Sequence, residues 1–231
     1  MRTTLLILTS ALLNSFIQTN AYWTKIHLRI EGPDKTLYEK TMYTTGHIVT
    51  TKSGGTHECD GTNNGENATP GATIISAIDD AVNIWDGTYQ KKNRDYKITS
   101  IENEPKQGDG RWILLVGYTS LNKGGCIYRV APDDQVLVAF NKVNAKKFLK
   151  LEADKETIKV GESVVFTVTN GANRDPVEGA AVSPKDAGLG GITGKDGTAT
   201  VGFDSITPGV YEYKAEADEA IRSNKVVITV E

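Results

Sequence analysis

The feature that most constrains the fold of this chain is a series of short segments in which apolar and polar residues alternate. The first, WTKIHLRI, starts at Trp23 and places Ile26, Leu28 and Ile30 on one face. Successive side chains of a strand point to opposite faces, so this pattern predicts a half-buried strand with its polar face in water. The next stretch, EGPDKTLYEKTM, turns through Gly-Pro-Asp into a second segment, which predicts a hairpin.

Only one stretch, from Ile74 to Trp85, has apolar residues at helical spacing. Either Thr69, before a proline, or Thr73 is placed to cap its start. The segments DYKITSI, RWILLVGY, GCIYRV and QVLVAF are predicted as four further strands, so one amphipathic helix is expected to pack on a mixed sheet. The apolar residues at helical spacing are Ile74, Ile75, Ile78, Ala81, Val82 and Trp85.

The second half of the chain alternates throughout and contains no helical period. Short strands are separated by turns at Gly161, Gly171, Gly197 and Gly209, a pattern typical of an antiparallel β-sandwich. The sequence therefore predicts a mainly β protein: an α+β domain over residues 22–147, followed without a flexible linker by an all-β domain over residues 148–231.

The first 21 residues have the pattern of a secretory signal peptide. Arg2 precedes an apolar run, and Thr19-Asn20-Ala21 supplies small residues at the −3 and −1 positions. A buried helix of the mature fold is the alternative. The run is shorter than the ~20 residues that span a bilayer, so no membrane span is expected. The mature chain is predicted to be secreted, and extracellular or associated with a cell surface.

Secretion predicts two covalent modifications of the chain, a disulfide bond and an N-linked glycan. Two cysteines in an oxidising compartment favour one disulfide, between Cys59 and Cys126, with two buried free thiols as the alternative. Asn67, in Asn-Ala-Thr, is the one glycosylation acceptor of the mature chain, and we expect a glycan on it if the source is eukaryotic.

Composition disfavours two classes of function. The net charge is −3 and basic residues are scattered, whereas nucleic-acid binding needs a concentrated basic face. The chain has three histidines and no nucleophile elbow, metalloprotease helix or phosphate-binding glycine loop. Asp79 and Asp80 point about 100° apart on a helix, which favours a solvated face over a catalytic pair. No catalytic residue is predicted, and the protein is expected not to be an enzyme.

The most unusual stretch is THECDGTNNGENATPGAT, residues 56–73. Asp60, Thr62 and Asn64 imitate the first half of a calcium loop, but Gly71 occupies the position of its bidentate glutamate. Zinc binding through His57 and the neighbouring cysteine lacks further ligands. We therefore predict no metal and no cofactor, with weak calcium binding by residues 60–71 left open, and interpret the stretch as a polar surface loop anchored by a disulfide.

Recognition is predicted at this loop, where the disulfide joins it to the SLNKGGC turn. A loop that is already held in place loses less entropy on binding, and amide and carboxylate groups suit sugar hydroxyls. Aromatic residues just after the helix are candidates for stacking on a sugar ring, although core packing is the alternative for the tryptophan. The candidate contact residues are Asp60, Asn63, Asn64, Asn122, Lys123, Trp85 and Tyr89.

The segments GATIISAIDDA, DYKITSIENE, GRWILLVGY, GGCIYRV and DDQVLVAF together resemble the transcobalamin C-terminal-like domain of secreted and surface proteins. Two positions depart from that pattern: Val138 replaces a tryptophan and Asp133 replaces a glycine. The helical barrel with which transcobalamins enclose a corrinoid has no counterpart in this sequence, so corrinoid binding is not carried over.

Over nearly the whole mature chain, HECDGTNNG, PVEGAAV, GKDGTATV and IRSNKVVITV are similar to fungal extracellular proteins described as surface cell-adhesion proteins. The resemblance implies a β-grasp-like first domain, an immunoglobulin-like second domain, and adhesion to a cell-wall or host-surface component such as a glycan. The alternative is a soluble protein that binds a small ligand in a pocket between the two domains.

Overall fold

The computed structural model describes residues 23–105, 110–141, 145–185 and 189–231. The predicted signal peptide, residues 1–21, lies outside the described residues. The elements of the first half are β1 (Thr24–Glu31), β2 (Thr36–Thr44), β3 (His47–Thr51), β4 (Gly55–Cys59), α1 (Ile74–Ala81), β5 (Trp85–Gln90), β6 (Asp95–Ile101), β7 (Arg111–Val116), β8 (Thr119–Ser120) and β9 (Gln135–Asn141).

The first half is built on a five-stranded sheet in the order β2-β1-β9-β7-β8. Its two central strands, β1 and β9, run parallel, and each has an antiparallel outer neighbour. Ile26 and Ile30 on β1 are fully buried in one core with Ile74 and Ile78 of α1. Burial of each such side chain contributes about 1.5–3 kcal/mol. Two central parallel strands flanked by antiparallel ones, with a helix on one face, form the predicted β-grasp arrangement.

The start of α1 confirms Thr73 rather than Thr69 as the cap. The Ser76 amide donates to Thr73 Oγ1 at 3.1 Å, and the Thr73 amide donates to Ser76 Oγ at 2.9 Å. Each side chain thereby satisfies a helix-terminal N–H that has no partner within the helix.

Two predicted elements of the first half were wrong. The helix ends at Ala81, and Trp85 begins the strand β5, from which it still packs against the core. The segment GCIYRV does not form a strand. Its Gly125 and Cys126 amides donate to the Asp95 carboxylate and its Tyr128 amide donates to Gly124 O, so these groups are unavailable to a ladder.

The elements of the second half are β10 (Lys147–Ala153), β11 (Thr157–Ile158), β12 (Ser163–Asn170), β13 (Ala181–Pro184), β14 (Gly191–Ile192), β15 (Thr198–Gly202), β16 (Gly209–Glu216), β17 (Ala220–Ile221) and β18 (Val226–Val230). They form two sheets, β15-β12-β10-β17 and β11-β18-β16-β13-β14. The sheets enclose one core, in which Phe166 of the first and Tyr213 of the second lie 4.7 Å apart between ring centroids. The predicted fold class, mainly β with one helix and a sandwich in the second half, is confirmed.

The outer face of the first sheet packs on the second half. Leu137 and Ala139 of β9 share a small core with Ile221. Beside it, Glu31 of β1 is 1% exposed, and its carboxylate accepts from Lys214 Nζ at 2.7 Å and Arg222 Nε at 3.0 Å. The prediction that the polar face of β1 lies in water is therefore wrong toward the end of this strand, because the second half covers it.

Candidate functional site

The polar loop is held at its base. The Cys59–Cys126 disulfide, which confirms the predicted pairing, brings the two Cα atoms to 4.4 Å. The Gly61 amide donates to Cys126 O at 3.0 Å, and the Gly71 amide donates to Asp60 O at 2.8 Å. These contacts fix the start of the loop against the turn at residues 121–126 and join the two ends of the loop to each other.

Two of the predicted contact residues lie inside the loop. Asp60 is 4% exposed, and its Oδ1 accepts from the Thr62 amide at 2.9 Å and from Thr62 Oγ1 at 2.7 Å. Asn63 is 8% exposed and donates to Glu58 O at 2.8 Å and to Arg94 O at 2.9 Å. Both side chains shape the loop, so they are poorly placed to contact a ligand directly.

The exposed groups belong to the loop and to the turn that the disulfide joins. Asn64 and Asn122 are exposed, and Lys123 forms an ion pair with Glu66 that joins the turn to the loop. Asn64 adopts a left-handed φ of 60° and donates to Asn93 O at 2.9 Å. We call Asn64, Glu66, Asn122 and Lys123 the tip surface.

Asp95 organises the turn, a role that the sequence did not reveal. Its carboxylate is 9% exposed and accepts from the Gly125 amide at 3.0 Å and the Cys126 amide at 2.8 Å. Burial raises the pKa of Asp95, although these hydrogen bonds oppose the rise. A carboxylate at the start of β6 thereby holds the cysteine of the turn in position.

The predicted sugar-stacking residues are packed against other rings. Tyr89 stacks on His57 with ring centroids 3.4 Å apart, and Trp85 meets Tyr96 edge to face at 5.6 Å. Trp85 Nε1 donates to Asp79 Oδ1 at 2.8 Å. Trp85 and Tyr89 are half-buried and join the β5–β6 hairpin to the rest of the core, which the core-packing alternative anticipated for Trp85 alone.

The sequence suggested that Asp79 lies on a solvated helix face, but the structure places its carboxylate in contact with His47 and Trp85. Its Oδ2 lies 3.1 Å from His47 Nε2, while His47 Nδ1 lies 2.8 Å from Thr45 O. The hydrogen bond to Asp79 raises the pKa of His47. Burial would raise the pKa of Asp79, but its hydrogen bonds from His47 and Trp85 outweigh burial and lower it. The pair connects α1 to β3.

Asn67 is half-buried beneath the tip surface. Its Nδ2 donates to Gly61 O at 2.6 Å and lies 3.4 Å from Ile127 O. An N-linked glycan replaces one hydrogen of this nitrogen and leaves the other free to donate. Glycosylation of Asn67 stays a prediction.

The described residues contain neither a cluster of metal ligands nor a helix long enough to span a membrane. Over the ranges that the structure describes, no three side chains of His, Cys, Asp or Glu come together as a metal site would require. The described helix α1 is far too short to cross a bilayer, and no longer apolar helix is found in the described residues.

An open cleft of about 740 Å³ lies between the two halves. One wall is the outer face of β1, β2 and β9, and the other is formed by β10 and β18. Arg29 and Tyr118 line the first wall, and Lys150, Asn224 and Val227 line the second. Polar and apolar groups contribute about equally to the walls, whereas most small-molecule pockets are predominantly apolar.

Comparison with known proteins gives little guidance. No family model matches the chain, and no curated protein matches it. Among solved structures, the chain is similar to the D00-D0 domain of intimin, with 16% identity and a TM-score of 0.25, over 63% of this chain and 83% of that one.

Proposed function

We propose that this protein is a non-catalytic, secreted adhesion protein that binds a cell-wall or host-surface glycan through the tip surface. The observation that carries the proposal is the joining of loop and turn by the Cys59–Cys126 disulfide and the Lys123–Glu66 ion pair. A polar surface held in place before binding loses little conformational entropy when it binds. The resemblance to secreted surface proteins supports the same role.

The chemistry of the tip surface suits a neutral sugar. The exposed amides of Asn64 and Asn122 offer both donors and acceptors, as vicinal hydroxyls require. The charges of Lys123 and Glu66 compensate each other, so the surface has no strong preference for an ionic ligand. Backbone hydrogen bonds and the disulfide hold these groups in place.

The test is a double change, Asn122→Ala with Lys123→Ala, which spares the interior residues Asp60 and Asn63. Asn83→Ala with Lys97→Ala is the matched control, since both of these residues are exposed and lie away from the tip surface. Retention on immobilised chitin, β-glucan and mannan, and on intact walls of the native host or its target, is measured alongside thermal melts.

We expect the tip variant to lose at least about tenfold in retention, which corresponds to about 1.4 kcal/mol, while its melting temperature and the control variant stay near wild type. Equal retention of the folded tip variant would place adhesion elsewhere. Absence of wild-type retention on every surface would refute adhesion itself.

The cleft between the two halves favours a second candidate, a soluble small-ligand-binding protein. This alternative needs a concave site, and the cleft of about 740 Å³ provides one. Its volume is within the range of ligand pockets, about 300–1,000 Å³. A ligand that binds there would contact both halves, so it would raise the melting temperature of the whole chain.

A further inference from the structure

The cleft contains a buried cation that no carboxylate neutralises within the described residues. Arg29 is 6% exposed and lines the cleft. Its Nη1 donates to Arg222 O at 3.0 Å, and its guanidinium carbon lies 5.8 Å from the centre of the Tyr118 ring. It forms no salt bridge within the described part of the chain, although the same face contains several. A buried charge of this kind is normally paired.

The neighbouring carboxylates are already engaged. Glu39, directly opposite Arg29 on β2, accepts from Lys214 Nζ at 2.8 Å and from the Lys225 amide at 2.7 Å. Glu31, two residues further along β1, is taken by Lys214 and Arg222. The guanidinium of Arg29 therefore keeps donors for which these residues supply no acceptor.

The side chains that line the cleft also carry an excess of positive charge. Four basic side chains line it, Arg29, Lys40, Lys150 and Lys225, against three carboxylates, Glu39, Glu152 and Glu156. The excess is one positive charge, which a singly charged anion balances and a doubly charged phosphate would overcompensate. The Tyr118 ring, which is 9% exposed and lies 5.8 Å from the Arg29 guanidinium carbon, and the 38%-exposed Val227 contribute apolar surface to the lining of the cleft.

From these observations we infer that the cleft binds a small monocarboxylate with an apolar body, whose carboxylate pairs with Arg29. A guanidinium binds a carboxylate through two parallel N–H···O bonds, which gives orientation as well as affinity. The apolar body then lies between Tyr118 and Val227, where both halves of the chain contact it. This inference rests on the second candidate function and is independent of adhesion by the tip surface.

The probe is benzoate, and benzamide is its neutral isostere. Succinate and inorganic phosphate test the preference for a single carboxylate. Binding to the full mature chain is followed by amide chemical shifts and by calorimetry at neutral pH. We expect millimolar or tighter binding of benzoate, with shifts at Arg29, Leu137 and Val227, and at least about tenfold weaker binding of benzamide, succinate and phosphate.

Three variants locate the site. Arg29→Gln should weaken benzoate binding at least about tenfold. Because Arg29 also contacts the second half, Lys150→Glu at the exposed rim provides a variant that leaves Arg29 untouched, and it should weaken binding several-fold. Lys159→Glu makes the same charge change outside the cleft and should bind as wild type does.

Each other outcome counts against the inference in its own way. Equal binding of benzamide, or of benzoate to a folded Arg29→Gln variant, would overturn the role of Arg29 while leaving the cleft a ligand site. Stronger binding of phosphate would overturn the monocarboxylate. If none of the four probes shifts a cleft residue at millimolar concentration, the carboxylate site fails, whereas the second candidate function, which names no ligand class, is not refuted by that result.

Discussion

Replacing Glu31 by Gln tests the contact between the two halves of the chain. Glu31 is buried at 1% exposure, and its partners Lys214 and Arg222 are 20% and 14% exposed. Removal of one partner from a buried ion pair costs about 3–5 kcal/mol, because it leaves an uncompensated charge in a poorly hydrated site. Glutamine preserves the shape and can still accept from Thr36 Oγ1, so we expect about 3 kcal/mol for Glu31→Gln.

Urea unfolding followed by two signals measures this effect. The three tryptophans, Trp23, Trp85 and Trp112, all lie in the first half, so tryptophan fluorescence reports on that half alone. Far-UV circular dichroism reports on both halves. When the contact weakens, the two halves should unfold separately, and the two signals should no longer coincide.

The matched control is Glu152→Gln. Glu152 pairs with Lys150 at 2.8 Å, but the two side chains are 58% and 39% exposed, and such surface pairs contribute about 0–1 kcal/mol. If Glu31→Gln lost no more stability than this control, the buried network would not stabilise the contact. Coincident transitions in a destabilised Glu31→Gln variant would show that other contacts, such as the apolar core around Leu137, hold the halves together.

Three further outcomes are expected. The hydrogen bond to Asp79 raises the pKa of His47 above 6.5. The stability from this bond is therefore complete below pH 6.5 and is lost as the pH rises through the folded-state pKa. In Asp79→Asn, the pKa of His47 measured by NMR titration should return toward 6.5, and an unchanged pKa would contradict the pairing. Replacing both Cys59 and Cys126 by Ala should cost about 3–5 kcal/mol, and two alkylatable thiols in the native secreted protein would disprove the disulfide. If the source is eukaryotic, glycosidase treatment should lower the mass of the native protein at Asn67; no change in mass would remove this prediction.

Much of the fold follows from local sequence patterns. Alternation identified β1, β2 and the strands of the sandwich. One face of each strand is buried, so an apolar residue recurs at every second position. The cap of α1 was among the two predicted, because threonine is a favoured cap residue, and the structure adds the reciprocal bond from Ser76. The disulfide followed from the cysteine count and from the predicted signal peptide.

The remainder depends on contacts between distant parts of the chain. Nothing near Glu31 in the sequence indicates that Lys214 and Arg222 will cover it, and an alternating strand with charged residues on its second face is otherwise typical of a solvated sheet. The segment GCIYRV does not form a strand, because its Gly125 and Cys126 amides donate to the Asp95 carboxylate. Asp60 and Asn63 seemed suited to binding by their chemistry, but their burial depends on how the loop folds back on itself.

The position of β1 has a consequence for the order of folding. It is the first described strand of the chain, yet it lies inside the sheet between β2 and β9, and β9 begins only at Gln135. At a synthesis rate of about 5–20 residues per second, one edge of β1 stays unpaired for several seconds after it has formed a hairpin with β2. Charged side chains on a strand discourage pairing with other chains, and β1 carries Lys25, Arg29 and Glu31 along one face. Arg29 and Glu31, which meet the second half in the finished protein, are thus also expected to disfavour aggregation of the nascent chain.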